Sequence, residues 1–180
     1  MKKIAKHRPT GMPNGPSLNQ NQMIQKTAMT RVPGKYIVEL VPNVYFGDRL
    51  AAANYSKLHE YNIDVILNLT KHQSFNKFPS EFEYETFFIR DATDENLLEK
   101  LAEVFEKMEY YLTRGKRVFV HCNRGISRAP SIAIAFLIKY RGMTFDQAFK
   151  IVAAKSPRIN PNIGFLLQLK KLEEVAPYIP

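Results

Sequence analysis

The run Val118-Phe119-Val120-His121-Cys122-Asn123-Arg124-Gly125-Ile126-Ser127-Arg128-Ala129-Pro130 constrains this chain more than any other stretch. Val118 to Val120 is a short apolar, β-rich segment of the kind that forms a strand covered on both faces. Ile132 to Ile138 is apolar on every side and includes Ala133 and Ala135, which favours a buried helix over a second strand. Pro130 suits a first helical turn, where a missing N–H costs nothing. Between strand and helix lies Cys-x5-Arg. A short loop closing onto a helix N-terminus can turn several backbone N–H groups inward, and such a nest binds a tetrahedral oxyanion with help from the helix dipole. Gly125 is free to adopt φ > 0, and Arg128 can fork onto two phosphate oxygens. The same field stabilises a thiolate on Cys122, and a thiolate beneath a bound phosphate is a nucleophile aimed at phosphorus. A lone Cys at a strand end is otherwise a small buried hydrophobe. Here the preceding His, the Gly within the loop and the flanking strand and helix all agree on the chemical reading.

His121 to Arg128 matches His-Cys-x2-Gly-x2-Arg and so resembles the signature of the cysteine-dependent protein tyrosine phosphatases. The form His-Cys-x2-Gly-x-Ser-Arg is similar to that of the dual-specificity branch. Leu40 to Gly47 resembles that branch's opening strand and turn, Ile66 to Thr70 its second strand, and Asn160 to Phe165 its closing helix. The resemblance covers roughly residues 36 to 177. It implies a protein phosphatase acting on phosphotyrosine and on phosphoserine or phosphothreonine through a cysteinyl-phosphate, with Asn123, Arg124, Gly125, Ile126, Ser127 and Arg128 cradling the phosphate. It also implies a shallow pocket, because nothing here looks like the extra loop of the larger, tyrosine-specific relatives.

Cleavage by a thiolate leaves an alkoxide or phenolate that a general acid must protonate. The candidates lie in Arg90-Asp91-Ala92-Thr93-Asp94-Glu95-Asn96-Leu97. In the resembled family the acid precedes an Asn-Leu pair by a fixed gap, which favours Asp91 over Asp94. Asn96 is a supporting candidate, though capping the following helix could be its whole role. His121 is poorly placed to be a base and is read as ordering the loop. Ala129 departs from the family pattern, in which a Ser or Thr hydroxyl after the Arg hydrogen-bonds the thiolate. Ser127 is the hydroxyl left to compensate. Arg124 adds a cation inside the loop and keeps inositol phosphates, phosphoinositides and RNA 5′-phosphates open as alternative substrates. A non-catalytic phosphate-binding module is the reading from another class, and such relatives usually lose the Cys, the Arg or the acid. No cofactor is expected, and the four histidines show no metal-ligand spacing.

The rest of the chain alternates strand and helix patterns. β-formers occupy Tyr36 to Leu40 and Val44 to Phe46 around a Val41-Pro42-Asn43 turn, and Gly47-Asp48 ends that pair. Asp48 can cap a helix running through Leu50, Ala51, Tyr55 and Leu58. Ile63 to Leu69 reads as an apolar strand interrupted by Asp64 and Asn68, and Phe82 to Ile89 as another. Leu97, Leu101, Val104, Phe105, Met108 and Leu112 form one stripe of a long helix. Thr144 and Gln147 make a capping-box pattern, and Asn160-Pro161 opens the last helix. Together these predict an α/β fold: a central, mostly parallel twisted sheet with helices on both faces.

Composition sets the outer limits. At 180 residues and 45% hydrophobic content the chain supports one domain with a real core. The net charge is +9, and seven cations fall in residues 1–35 with no Asp or Glu. Residues 1–30, rich in Pro, Gly, Asn and Gln, are therefore expected to be a flexible basic tail, read first as a solubilising extension and alternatively as an arm for an acidic partner or, through Gln22 to Thr30, a dimerising helix, with residues 31–180 as the catalytic domain. No run is long enough for an integral membrane segment, and there is no secretory h-region. Cys122 is the only cysteine, which favours a reducing, cytoplasmic or nuclear compartment.

Overall fold

The computed structural model describes residues 36–175. The basic tail and its candidate helix therefore lie outside the described residues. Five strands form one sheet in the order β1-β2-β5-β3-β4. They are β1 (Ile37–Val41), β2 (Val44–Asp48), β3 (Val65–Asn68), β4 (Glu83–Thr86) and β5 (Val118–Cys122). β1 runs antiparallel to β2 through a tight turn in which Asn43 takes φ 69°. All other pairings are parallel.

β5 is central and every residue of it is buried. Its side chains alternate between two cores, as the two-residue period of a strand requires. Val118, Val120 and Cys122 face the larger core, made with α3 (Leu97–Leu112), α4 (Arg128–Arg141), α5 (Phe145–Lys155) and α6 (Ile163–Val175). Phe119 faces the smaller core, made with Ala51 and Ala52 of α1 (Arg49–Ala52) and Leu58 of α2 (Tyr55–Glu60). α4 is buried from Ala129 to Ile138, which explains its all-round apolar sequence. The Thr144–Gln147 capping box is present at the start of α5.

Several element boundaries differ from those read in the sequence. The helix expected from Asp48 through Leu58 is two short helices. Asp48 caps α1 by accepting from Leu50 N and Ala51 N, and Asn54 restarts the chain by accepting from Lys57 N. The strand expected over Phe82 to Ile89 is only four residues long. β4 is an edge strand, and its sole partner β3 stops at Asn68. The last helix opens at Ile163 rather than at Asn160-Pro161, because Asn162 is the residue whose side chain accepts from the third helical amide, Phe165 N (3.0 Å). Among the described residues, no helix is long and apolar enough to cross a membrane.

Candidate active site

The phosphate loop leaves the C-terminal end of β5, between β2 and β3, where parallel sheets present their ligand sites. Three of its carbonyls are occupied outside the loop. Asn123 O accepts from Arg49 N (3.3 Å), Ile126 O from Asn160 N (2.8 Å) and Ser127 O from Ser131 N (2.9 Å). A trans peptide carries C=O and N–H on opposite sides. The N–H groups of Arg124, Ser127 and Arg128 therefore point away from those partners. Gly125 N donates to Cys122 Sγ at 3.3 Å. Gly125 holds φ +66°, and a Cβ there would meet Gly47 C and O at 3.0 Å. Both the backbone sign and the close approach exclude a side chain.

Cys122 is 2% exposed at the floor of the loop, and Asn123 and Arg124 are exposed at its rim. Arg128, the first residue of α4, is anchored through Nη1 to Ile89 O (3.2 Å) and Leu69 O (3.4 Å). Its Nε is buried without a hydrogen-bond partner and lies 3.8 Å from Asp91 Oδ2. A guanidinium pinned at one nitrogen, with another donor unspent beside the cradle, is prepared for an oxyanion.

Asp91 sits across from this group. Ser127 Oγ donates to Asp91 Oδ1 at 2.6 Å, and Asn162 Nδ2 donates to the same oxygen at 3.1 Å. Asp94 does not reach the site. It pairs with Arg90, which also holds Glu95 through Nε at 2.7 Å. Asn96 stays within the first turn of α3, where it accepts from Glu99 N and donates to Glu99 Oε2. It acts there as a helix cap.

His121 points to the face opposite Cys122 and stacks on Phe119 (centroids 6.0 Å apart). Its Nδ1 lies 3.4 Å from Cys122 O. Burial pushes its imidazole down to about 4. The Cys122 carbonyl opposes that shift and the Arg128 guanidinium adds to it. His121 is therefore neutral near pH 7 and is turned away from the thiol. The hydroxyls near the loop are also committed. Ser127 gives its proton to Asp91, and Ser131 Oγ donates to Ser127 O (2.8 Å). Ser127 thus does not replace the hydroxyl missing at the fully buried Ala129.

Sequence reading missed how the acid loop is held. α6 grips it at three points. Asn162 bonds Asp91 and also donates its backbone N–H to Ser127 Oγ (3.2 Å). Gly164 lies so close that a Cβ would be 2.1 Å from Thr93 O. Gln168 donates to Glu95 O (2.8 Å) and accepts from Leu98 N (3.2 Å). The available signal was the polar and small spacing Asn162, Gly164, Gln168 around the apolar first turns of that helix.

Residues 44–175 match the family model for the catalytic domain of dual specificity phosphatases. The chain belongs to this family. It is 37% identical over 129 residues to mouse dual specificity protein phosphatase 19, covering 72% of this chain and 58% of that protein. It covers no more than 24% of several longer curated relatives, so it spans well under two thirds of their length. Two human structures share the fold. One is DUSP28 (TM-score 0.73, 28% identity, 80% of this chain and 96% of that one). The other is a tyrosine phosphatase-like serine/threonine/tyrosine-interacting protein (TM-score 0.71, 30% identity, 78% and 97%). The signature strand, loop and helix fall within the matched residues.

Proposed function

We propose that the chain is a phosphoprotein phosphatase that works through a cysteinyl-phosphate. Cys122 Sγ attacks phosphorus in line as the bond to the leaving oxygen breaks. Asp91, in its acid form, gives that oxygen a proton. Water then attacks the phosphocysteine and loses its proton to Asp91, and the thiolate leaves with inorganic phosphate released. Arg128 and the inward amides hold the equatorial oxygens through both steps.

The observation that carries this reading is the position of Asp91. Its carboxylate is hydrogen-bonded to Ser127 in the phosphate loop and lies 3.8 Å from Arg128 Nε, so an acid and an oxyanion cradle share one mouth. A binding module has no use for that acid. Phosphorylated proteins are the substrates we assign, by analogy with the named relatives.

Phosphate release from an aryl phosphate and from phosphopeptides tests the assignment. Cys122→Ser should abolish release. Asp91→Asn should lower kcat on a poor leaving group by about 10²–10⁴, and by less on a good one. Activity retained in Cys122→Ser would remove the nucleophile we assign.

A further inference from the structure

The acid loop carries a brace that the reaction described above does not use. Ile89 and Asp91 both serve the site. Ile89 is fully buried and its carbonyl holds Arg128, while the Asp91 carboxylate meets Ser127 and Asn162. Arg90 stands between them, and its side chain spans the loop instead. Nε donates to Glu95 Oε2 at 2.7 Å, and Nη1 and Nη2 each donate to Asp94 Oδ2 at 3.3 Å. One guanidinium thus joins the residue before the acid to the two residues before Asn96, the cap of α3.

The two pairs differ in weight. The Asp94 side chain is 72% accessible, so water screens that pair to little. The Glu95 side chain is only 9% accessible, and without the guanidinium its carboxylate would be left buried and short of a partner. Glu95 is also a fixed point of the backbone. Its N–H donates to Ala92 O (3.2 Å), and its carbonyl accepts from Leu97 N (3.0 Å) and from Gln168 Nε2 (2.8 Å). Arg90 therefore ties the acid to a residue that α3 and α6 hold in place.

The bonds on Asp91 itself cannot do this during turnover. Both Ser127 and Asn162 donate to Oδ1, and Oδ2 lies 3.8 Å from Arg128 Nε. An acid at work points a carboxyl oxygen at the substrate, and the substrate's phosphate draws on Arg128. Substrate thus disturbs the contacts of the carboxylate, whereas the Arg90 bonds end on Asp94 and Glu95, outside the phosphate loop.

We propose that Arg90 is a positioning residue that holds Asp91 at the leaving oxygen by bridging the acid loop to Glu95. The proposal rests on the phosphatase reading and adds the residue through which its acid is aimed. The planar fork of arginine reaches two carboxylates at once, and a lysine in its place would act as a single point charge.

The test measures kcat/KM on two aryl phosphates, phenyl phosphate with a poor leaving group and nitrophenyl phosphate with a good one. This quantity is set before the phosphocysteine breaks down, so slow breakdown does not mask it. The full chain is compared with Arg90→Ala, Arg90→Lys, Asp91→Asn and the Arg90→Ala/Asp91→Asn double variant. Arg90→Ala should lower the phenyl phosphate value about fivefold and the nitrophenyl value by less, and Arg90→Lys should restore part of the loss. The rate of Cys122 alkylation should not change. In the Asp91→Asn background, Arg90→Ala should cost nothing further, because the residue acts only through the acid. Equal losses on both substrates, slower alkylation, a loss that multiplies onto that of Asp91→Asn, or no loss at all overturns the proposal. If Arg90→Ala fails to fold, Arg90→Gln takes its place in the same comparison. If the wild-type chain turns over neither substrate, the phosphatase reading fails by itself. The brace is then judged by amide hydrogen exchange of residues 92–95. Faster exchange in Arg90→Ala that Arg90→Lys reverses supports it, and identical exchange overturns it.

Discussion

His121 should make the domain lose stability in mild acid, in a window set by its burial. Its folded-state value is about 4, against 6.5 in the unfolded chain. Between these values the unfolded chain binds more protons than the folded one, so stability rises with pH across that range. The contribution is fully present above pH 6.5 and is lost as the pH falls toward 4. Integrating the linkage gives a loss of about 2 kcal/mol at pH 5 and about 3 kcal/mol once both states are protonated. At a urea slope of 1–3 kcal/mol/M, the pH 5 loss moves the unfolding midpoint by about 1 M. Carboxylates titrate in the same range, so the quantity to measure is a difference. Urea unfolding of wild type and His121→Gln is compared at pH 7.5 and pH 5. The variant cannot titrate at this position, and its fixed packing cost cancels between the two pH values. The gap between the two proteins should narrow by about 2 kcal/mol at pH 5. Parallel stability curves would refute the reasoning. So would a wild-type imidazole resonance that titrates near 6.5 in the folded protein.

Two other substitutions probe the reaction machinery. Gly164→Ala places a methyl 2.1 Å from the Thr93 carbonyl and must displace the acid loop. It should lower kcat while leaving the rate of Cys122 alkylation unchanged, and equal losses in both would mean general unfolding. Ala129→Ser should supply the thiolate with a hydrogen bond worth about 1.5–3 kcal/mol. Rapid-quench traces of the wild type should show a burst of phenol followed by a slow steady state that the substitution accelerates. Superimposable traces would show that thiolate departure does not limit turnover.

The fold was largely legible because its strongest signals are local. The continuous apolar character of Val118 to Val120, the stripe from Leu97 to Leu112 and the Thr144–Gln147 box each act within a few residues. Of the readings that failed, the length of β4 was set by a long-range partner, and the α1–α2 break and the start of α6 by local caps. β4 stops where β3 stops, and Asn162 caps α6 while it also serves Ser127 and Asp91. The Cys122–Arg128 spacing was legible for a similar reason, since a phosphate cradle is built from consecutive residues.

By itself the sequence determined the family signature from His121 to Arg128, on which the proposed nucleophile Cys122 rests, and the alternation of strands and helices, since each depends on chemistry or periodicity over short distances. Only the tertiary structure set Asp91 against Ser127 and Arg128 while Asp94 pairs with Arg90, turned His121 away from the thiol and committed the Ser127 hydroxyl to Asp91. Those outcomes depend on which strand lies beside which and on where α6 docks. Contacts between residues 35 to 71 positions apart leave no periodic trace in the chain, because the sheet order that joins them is fixed by packing across the whole domain.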